Sequence, residues 1–75
     1  MEVYSLLASI DDELAQNVYV KFVIDGFPEM QTKSAPVNEW LAKDNKRIFY
    51  ADVINLDIKT DKNYGYLIFT VFISM

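Results

Sequence analysis

Val18-Tyr19-Val20-Lys21-Phe22-Val23-Ile24, followed at once by Asp25-Gly26, is the stretch on which the fold turns. Val18, Val20, Phe22 and Ile24 share one parity, and Tyr19, Lys21 and Val23 share the other. Successive side chains of an extended strand point to opposite faces, so this alternation predicts a strand with one fully apolar side. Asp-Gly after it is a strong turn signal, because glycine accepts the positive φ that tight hairpin turns require. Pro28 follows closely and has no N–H to donate, which confines any return strand over 29–34 to a short piece at a sheet edge.

Upstream, Val3, Leu6, Leu7, Ile10 and Leu14 fall at i, i+3, i+4, i+7 and i+11, one stripe of a 3.6-residue period. A second parse makes 2–8 a strand and 10–16 a short helix capped by Ser9, with Asp12 completing a capping-box-like pattern. It leaves only nine residues before the next strand. A parallel crossover needs about a dozen or more, so a single helix over 2–16 is expected. Asp11, Asp12 and Glu13 then lie late in that helix, against its macrodipole.

Downstream, a second helix is expected to start near Pro36, with Ser34 as its cap and proline in the favoured first turn. Val37, Trp40 and Leu41 form its buried side, and it ends about Asp44-Asn45. In 47–59, Phe49, Ala51 and Val53 share one parity while Ile54, Leu56 and Ile58 share the other. A β-bulge at Val53-Ile54 would absorb that phase change and keep both sets on the core face. Thr60 to Tyr64 turns the chain, and 64–74 returns with Leu67, Phe69, Val71 and Ile73 on one face. The expected architecture is one α+β domain over 1–75 in the order α-β-β-α-β-β, an antiparallel sheet with two helices on one face. The sequence closes on Met75 with no polar tail, which predicts little shielding for the last strand.

Composition narrows the chemistry. Hydrophobic residues make up 52% of the 75 and charged residues 24%, a folding composition rather than a disordered one. Histidine and cysteine are both missing. That excludes disulfide scaffolds, thiol nucleophiles, imidazole bases and the usual zinc sites, and no metal or cofactor is expected. Met1-Glu2-Val3 lacks the basic start of a secretory signal. The longest strongly apolar run, Leu67 to Ile73, is far shorter than the roughly 20 residues a spanning helix needs. No membrane association is expected, and cytoplasm is the default location.

Few residues here could catalyse. Asp11-Asp12-Glu13 cannot converge on one reacting atom, since neighbours on a helix point about 100° apart. Ser5, Ser9, Ser34 and Ser74 have no nucleophile-elbow motif and no base at recognisable spacing. Two glycines in the whole chain leave no phosphate-cradling loop. Asp61-Lys62-Asn63-Tyr64-Gly65 echoes the opening of a calcium loop, but its glycine comes fifth and Phe72 stands at the twelfth position. A complete loop wants glycine sixth and a bidentate glutamate twelfth, so this stretch reads as a hairpin turn. A non-enzymatic protein is expected.

Lys62-Asn63-Tyr64-Gly65-Tyr66-Leu67-Ile68-Phe69 resembles the RNP1 segment of RNA-recognition motifs. Asn63 stands where that family has glycine, Tyr66 where it has phenylalanine and Leu67 where it has valine. Val18-Tyr19-Val20 is similar to the family's second strand segment, RNP2. The resemblance implies base stacking on Tyr19, Tyr64 and Tyr66, and single-stranded RNA or DNA as ligand. The family's element order, β-α-β-β-α-β, is not the order read here. Affinity for nucleic acid also comes largely from cations on phosphates, whereas this chain carries a net charge of −4. Lys43, Lys46 and Arg47 cluster where the second helix should end, a place that suits cations for structural reasons. Nucleic acid is therefore the alternative ligand, not the expected one.

The charge map points elsewhere. Glu2, Asp11, Asp12 and Glu13 precede Val20 with no lysine or arginine among them, and the remaining acidic and basic residues balance. Such a segment can be a solvated face, or it can steer the protein onto a basic surface, such as the nucleic-acid channel of an enzyme. The second pointer is apolarity on both sides of the sheet. With Val18, Val20 and Phe22 under the helices, Tyr19, Val23, Tyr66, Ile68 and Phe72 face away and form a patch large enough to mark an interface. The expectation is a protein-binding module, a homodimer in solution, that acts by occluding a partner's surface. Phage-encoded inhibitors of host defence or nucleic-acid enzymes, anti-CRISPR proteins among them, are often small acidic α+β chains of this kind. A purely structural homo-oligomeric subunit is the remaining alternative.

Overall fold

Val18–Ile24 does form the strand that organises the molecule, here called β1. In the computed structural model, which describes residues 1–74, the elements run α1 (Val3–Ala8), β1 (Val18–Ile24), β2 (Phe27–Gln31), β3 (Ala35–Pro36), α2 (Val37–Ala42), α3 (Lys46–Phe49), β4 (Asp52–Thr60) and β5 (Leu67–Ser74). Met75, on which the expectation about the unshielded strand partly rested, lies outside the described residues. The fold is α+β, with a sheet of order β2-β1-β5-β4 and β3 pairing the same side of β1 as β2.

The sheet is mixed, not antiparallel as expected. β1 and β5 run parallel from Val18↔Leu67 through Ile24↔Ile73, while every other pairing is antiparallel. The cause is topological. The chain leaves β1, crosses the covered face in α2 and α3, and lays β4 at the far edge. The hairpin return then fills the gap beside β1 and must share its direction. β5 and β1 become the two central strands, and both carry apolar residues on both sides, interrupted on one side by Lys21 and Thr70.

At the turn, Gly26 takes φ +84°, and Ile24 pairs with Phe27 across Asp25-Gly26. β2 is short, exposed and at an edge, as Pro28 required. Between β2 and β3, Thr32 holds the chain to β1: its N–H donates to the Phe22 carbonyl at 2.9 Å, and its Oγ1 accepts from the Phe22 N–H at 3.0 Å.

Three short helices replace the expected two. The helix expected over 2–16 stops at Ala8, where the Ser9 hydroxyl donates to the Leu6 carbonyl at 2.7 Å. Continuing it would have set three carboxylates at the negative end of the helix. Asp11 instead accepts the Glu13 N–H on its own side chain at 2.8 Å, and the chain turns its way to β1, leaving Leu14 exposed. Ser34 does not cap α2. Pro36 holds the N-cap position in extended conformation with no side-chain cap, and α2 ends at Ala42, short of Asp44-Asn45. Residues 46–49, where a strand is expected from 47 onward, form α3 because the Asn45 side chain caps it, accepting the Ile48 N–H at 3.3 Å. Lys46 and Arg47 accordingly belong to this single turn and not to the end of α2.

The bulge falls where the phase change placed it, between Val53 and Asn55. Val53, Leu56 and Ile58 share the covered side, opposite Ile73, Val71 and Phe69. Ile54 is the extra residue and is exposed, against the expectation that it would join the core. The core holds Val3 and Leu7 of α1, Val37 and Trp40 of α2, and Ile48 and Phe49 of α3 against Val18, Val20, Phe22, Val71 and Ile73. All three helices thus lie on one face.

Candidate functional site

Among the described residues, no helix lies over the other face of the sheet. Tyr19 on β1 is paired with Ile68 on β5, and Val23 with Phe72. Tyr66, just before β5, sets its ring 4.4 Å from that of Tyr19. Tyr64 continues the row, stacked on Tyr66 at 5.9 Å with planes 14° apart, and is 76% exposed. Parity therefore did bring Tyr19, Val23, Tyr66, Ile68 and Phe72 to one surface. A polar row divides that surface: Lys21 opposite Thr70, and Thr70 opposite Asp57. Lys21 Nζ reaches away from the row and donates to Gln31 Oε1 at 3.1 Å. At one end lie the three tyrosines with Ile68; at the other lie Phe72 and Val23, and Val23 is only 5% exposed.

Sequence reasoning missed the part β4 plays. Asn55, Asp57 and Lys59 stand opposite Phe72, Thr70 and Ile68, so they border the open face along its whole length. Lys59 Nζ lies 3.9 Å from Asp57 Oδ2, with both side chains exposed. Counting parity forward from the bulge would have found them; counting from Phe49 would not.

Tyr66 carries a perturbed phenol. Partial desolvation, then the nearby charge of the Asp61 carboxylate, raise its phenol above the ordinary 10.0, with Tyr19 and Tyr64 adding to the effect. Asp61 also organises the turn, its Oδ1 accepting the N–H groups of Asn63 at 2.9 Å and Tyr64 at 3.2 Å. Gly65 takes φ +73° there, which lets the chain come back along β4 with Tyr64 and Tyr66 stacked.

The acidic residues do not gather. Glu2 sits at the N-terminus of α1, bridged to Asp52 at the start of β4. Asp11, Asp12 and Glu13 lie past the other end of a six-residue helix, about 9 Å long at 1.5 Å per residue. All four are exposed. Among the described residues no group of three or more His, Cys, Asp or Glu side chains is placed to hold a metal, and no helix is long and apolar enough to cross a membrane. A groove of about 340 Å³ runs between β2 and α3, lined by Phe22, Met30 and Ile48, with Glu29 as its one ionisable group. No protein-family model matches this sequence, and neither a curated protein nor a solved structure matches the chain.

Proposed function

We propose that this protein is a non-enzymatic binding module that grips a partner protein with its uncovered sheet face. The observation that carries the reading is the placement of Tyr19, Tyr66, Ile68 and Phe72 on a face from which all three helices are absent. Tyrosine suits such a surface because it offers a large rigid ring with a polar tip. The polar row of Lys21, Thr70 and Asp57, which crosses the middle of the face, fixes register and orientation more than raw affinity. The exposed turn Asp11-Asp12-Glu13 adds a negative field that speeds encounter with a basic surface, and an enzyme's nucleic-acid channel is the partner class that fits. Occupying that surface is the mode of action.

The test uses Ile68→Lys with Phe72→Glu. Affinity capture from nuclease-treated cell extract, with wild type and double variant as parallel baits, should retain a protein on the wild type alone. Circular dichroism should show both baits folded. The same set of proteins on both baits overturns the reading.

A second reading has its own observation, the stacked row of Tyr19, Tyr66 and Tyr64. Single-stranded nucleic acid stacks on such a platform, at about 1–3 kcal/mol per base. In that case wild type binds a fluorescent oligonucleotide at low salt, and Tyr64→Ala with Tyr66→Ala loses at least about tenfold in affinity. Anisotropy that stays flat for the wild type ends this reading and leaves the first standing.

A further inference from the structure

β4 is the outermost strand on its side of the sheet, so one edge of its backbone faces no neighbour over most of its length. Two hydrogen bonds tell which groups point there. The Asp61 N–H donates inward to the Tyr66 carbonyl at 2.8 Å, and the Val53 N–H donates outward to the Met1 carbonyl at 2.7 Å. Backbone polar groups alternate sides along a strand. Counting back from Asp61, it is Thr60, Ile58 and Leu56 that carry their N–H and C=O groups on the open edge. Leu56 agrees: its N–H is taken by Asn55 Oδ1 at 2.9 Å. Met1 and Glu2 line the edge only at Val53 and Asp52, which leaves 54–60 open.

We propose that two copies of this chain join by antiparallel pairing of β4 with β4, with Ile58 on the two-fold axis. The register follows from charge. A two-fold axis perpendicular to the sheet keeps corresponding faces on the same side, so each residue can oppose only one of its own parity. An axis on Asp57 sets Asp57 against itself, and an axis on Lys59 sets Lys59 against itself. Like charges directly opposite are destabilising. An axis on Leu56 brings the second copy onto the stretch that Met1 and Glu2 already line. With the axis on Ile58, Asp57 lies opposite the second copy's Lys59, and the pair occurs twice. It falls at the non-hydrogen-bonded positions, where side chains come closest. Ile58 then exchanges backbone hydrogen bonds across the axis, and the Thr60 N–H meets the second copy's Leu56 carbonyl without disturbing Asn55. A lysine on an edge ordinarily discourages pairing; in this register its charge is met. Ile58, 53% exposed in the single chain, gains its counterpart on the covered side. The open faces of both copies fall on the same side of one continuous sheet, presenting two Tyr19-Tyr66-Ile68 surfaces together. This pairing does not depend on what that face binds.

Sedimentation across a concentration series tests it with three proteins: wild type, Lys59→Asp, and Asp57→Lys with Lys59→Asp. Both side chains are exposed in the single chain, and circular dichroism should report the same fold for all three. The wild type should dimerise. Lys59→Asp, which sets aspartate against aspartate twice, should weaken the dimer at least about tenfold. The double variant restores opposite charges with the signs reversed and should recover most of that loss. A wild type that stays monomeric at roughly millimolar concentration, the weak end of specific association, overturns the proposal. So does Lys59→Asp that dimerises like wild type, or a charge swap that fails to recover the dimer.

Discussion

The two faces of the sheet are built from the same strands and do opposite work. Under the helices, Val20 and Phe22 of β1 and Val71 of β5 are fully or almost fully buried. Trp40 locks that side, its indole N–H donating to the Val20 carbonyl at 2.8 Å and its ring meeting Phe22 edge-on at 4.9 Å. On the open side the same strands offer Tyr19, Lys21, Ile68, Thr70 and Phe72, apolar residues interleaved with polar ones. Where the helices lie over β1 and the end of β5, the covered face is closed to water and close-packed. The open face is half-wet, and its rings rest chiefly on each other. Stability resides chiefly in the first, and the second contributes less to it.

The largest expected effect comes from breaking the covered face. Phe22→Ala removes a side chain that is 1% exposed and supports Trp40, and such truncations cost about 3–5 kcal/mol. A small domain holds only about 5–15 kcal/mol in total, so urea denaturation should show a collapse of the midpoint or loss of the folded baseline. A loss under about 1 kcal/mol would mean that the core is centred elsewhere. The contrasting change is Ile68→Lys with Phe72→Glu on the other side of the same sheet. Forfeiting cross-strand contacts there should cost about 1 kcal/mol or less. If the double variant unfolds as readily as Phe22→Ala, the open face is part of the core and the division between the faces fails.

How much of this the sequence discloses depends on the range of each cause. Alternation in 18–24 and 67–73 assigned both faces residue by residue, because parity needs no knowledge of which strand lies beside which. The bulge was legible for the same reason, since Val53-Ile54 breaks the period locally. The parallel pairing of β1 with β5 was not, since it depends on the path taken by 32–60 and leaves no local mark. The early end of α1 illustrates a different failure. The apolar stripe through Leu14 fitted a helix, but Ser9 and Asp11 offered the backbone competing hydrogen bonds, and those prevailed. At 46–51, Phe49 and Ala51 alternate as a strand would, and both are buried. A single cap from Asn45 turned that stretch into a helical turn instead. The stacking of Tyr64 on Tyr66 likewise needed the turn geometry set by Asp61 and Gly65.

The smallest effect sharpens the open face from inside. The phenol of Tyr66 ionises above 10.0 because desolvation and the nearby Asp61 charge both favour its neutral form. A group whose folded-state pKa is raised binds its proton more tightly folded than unfolded. Its stabilising contribution is therefore complete below pH 10.0 and is lost as pH rises through the raised value. Tyrosinate absorbance followed on alkaline titration should show a phase lagging above 10.0, which Tyr66→Phe removes. Asp61→Asn removes the charge but leaves the ring of Tyr19 against Tyr66, so that lagging phase should shift toward 10.0 without disappearing. Asp61→Asn also weakens the acceptor for the Asn63 and Tyr64 N–H groups, so Tyr64 should become more mobile as the titration shifts. If the lagging phase is unchanged in Asp61→Asn, the carboxylate does not reach the phenol, and the tyrosine row is held by ring contacts alone.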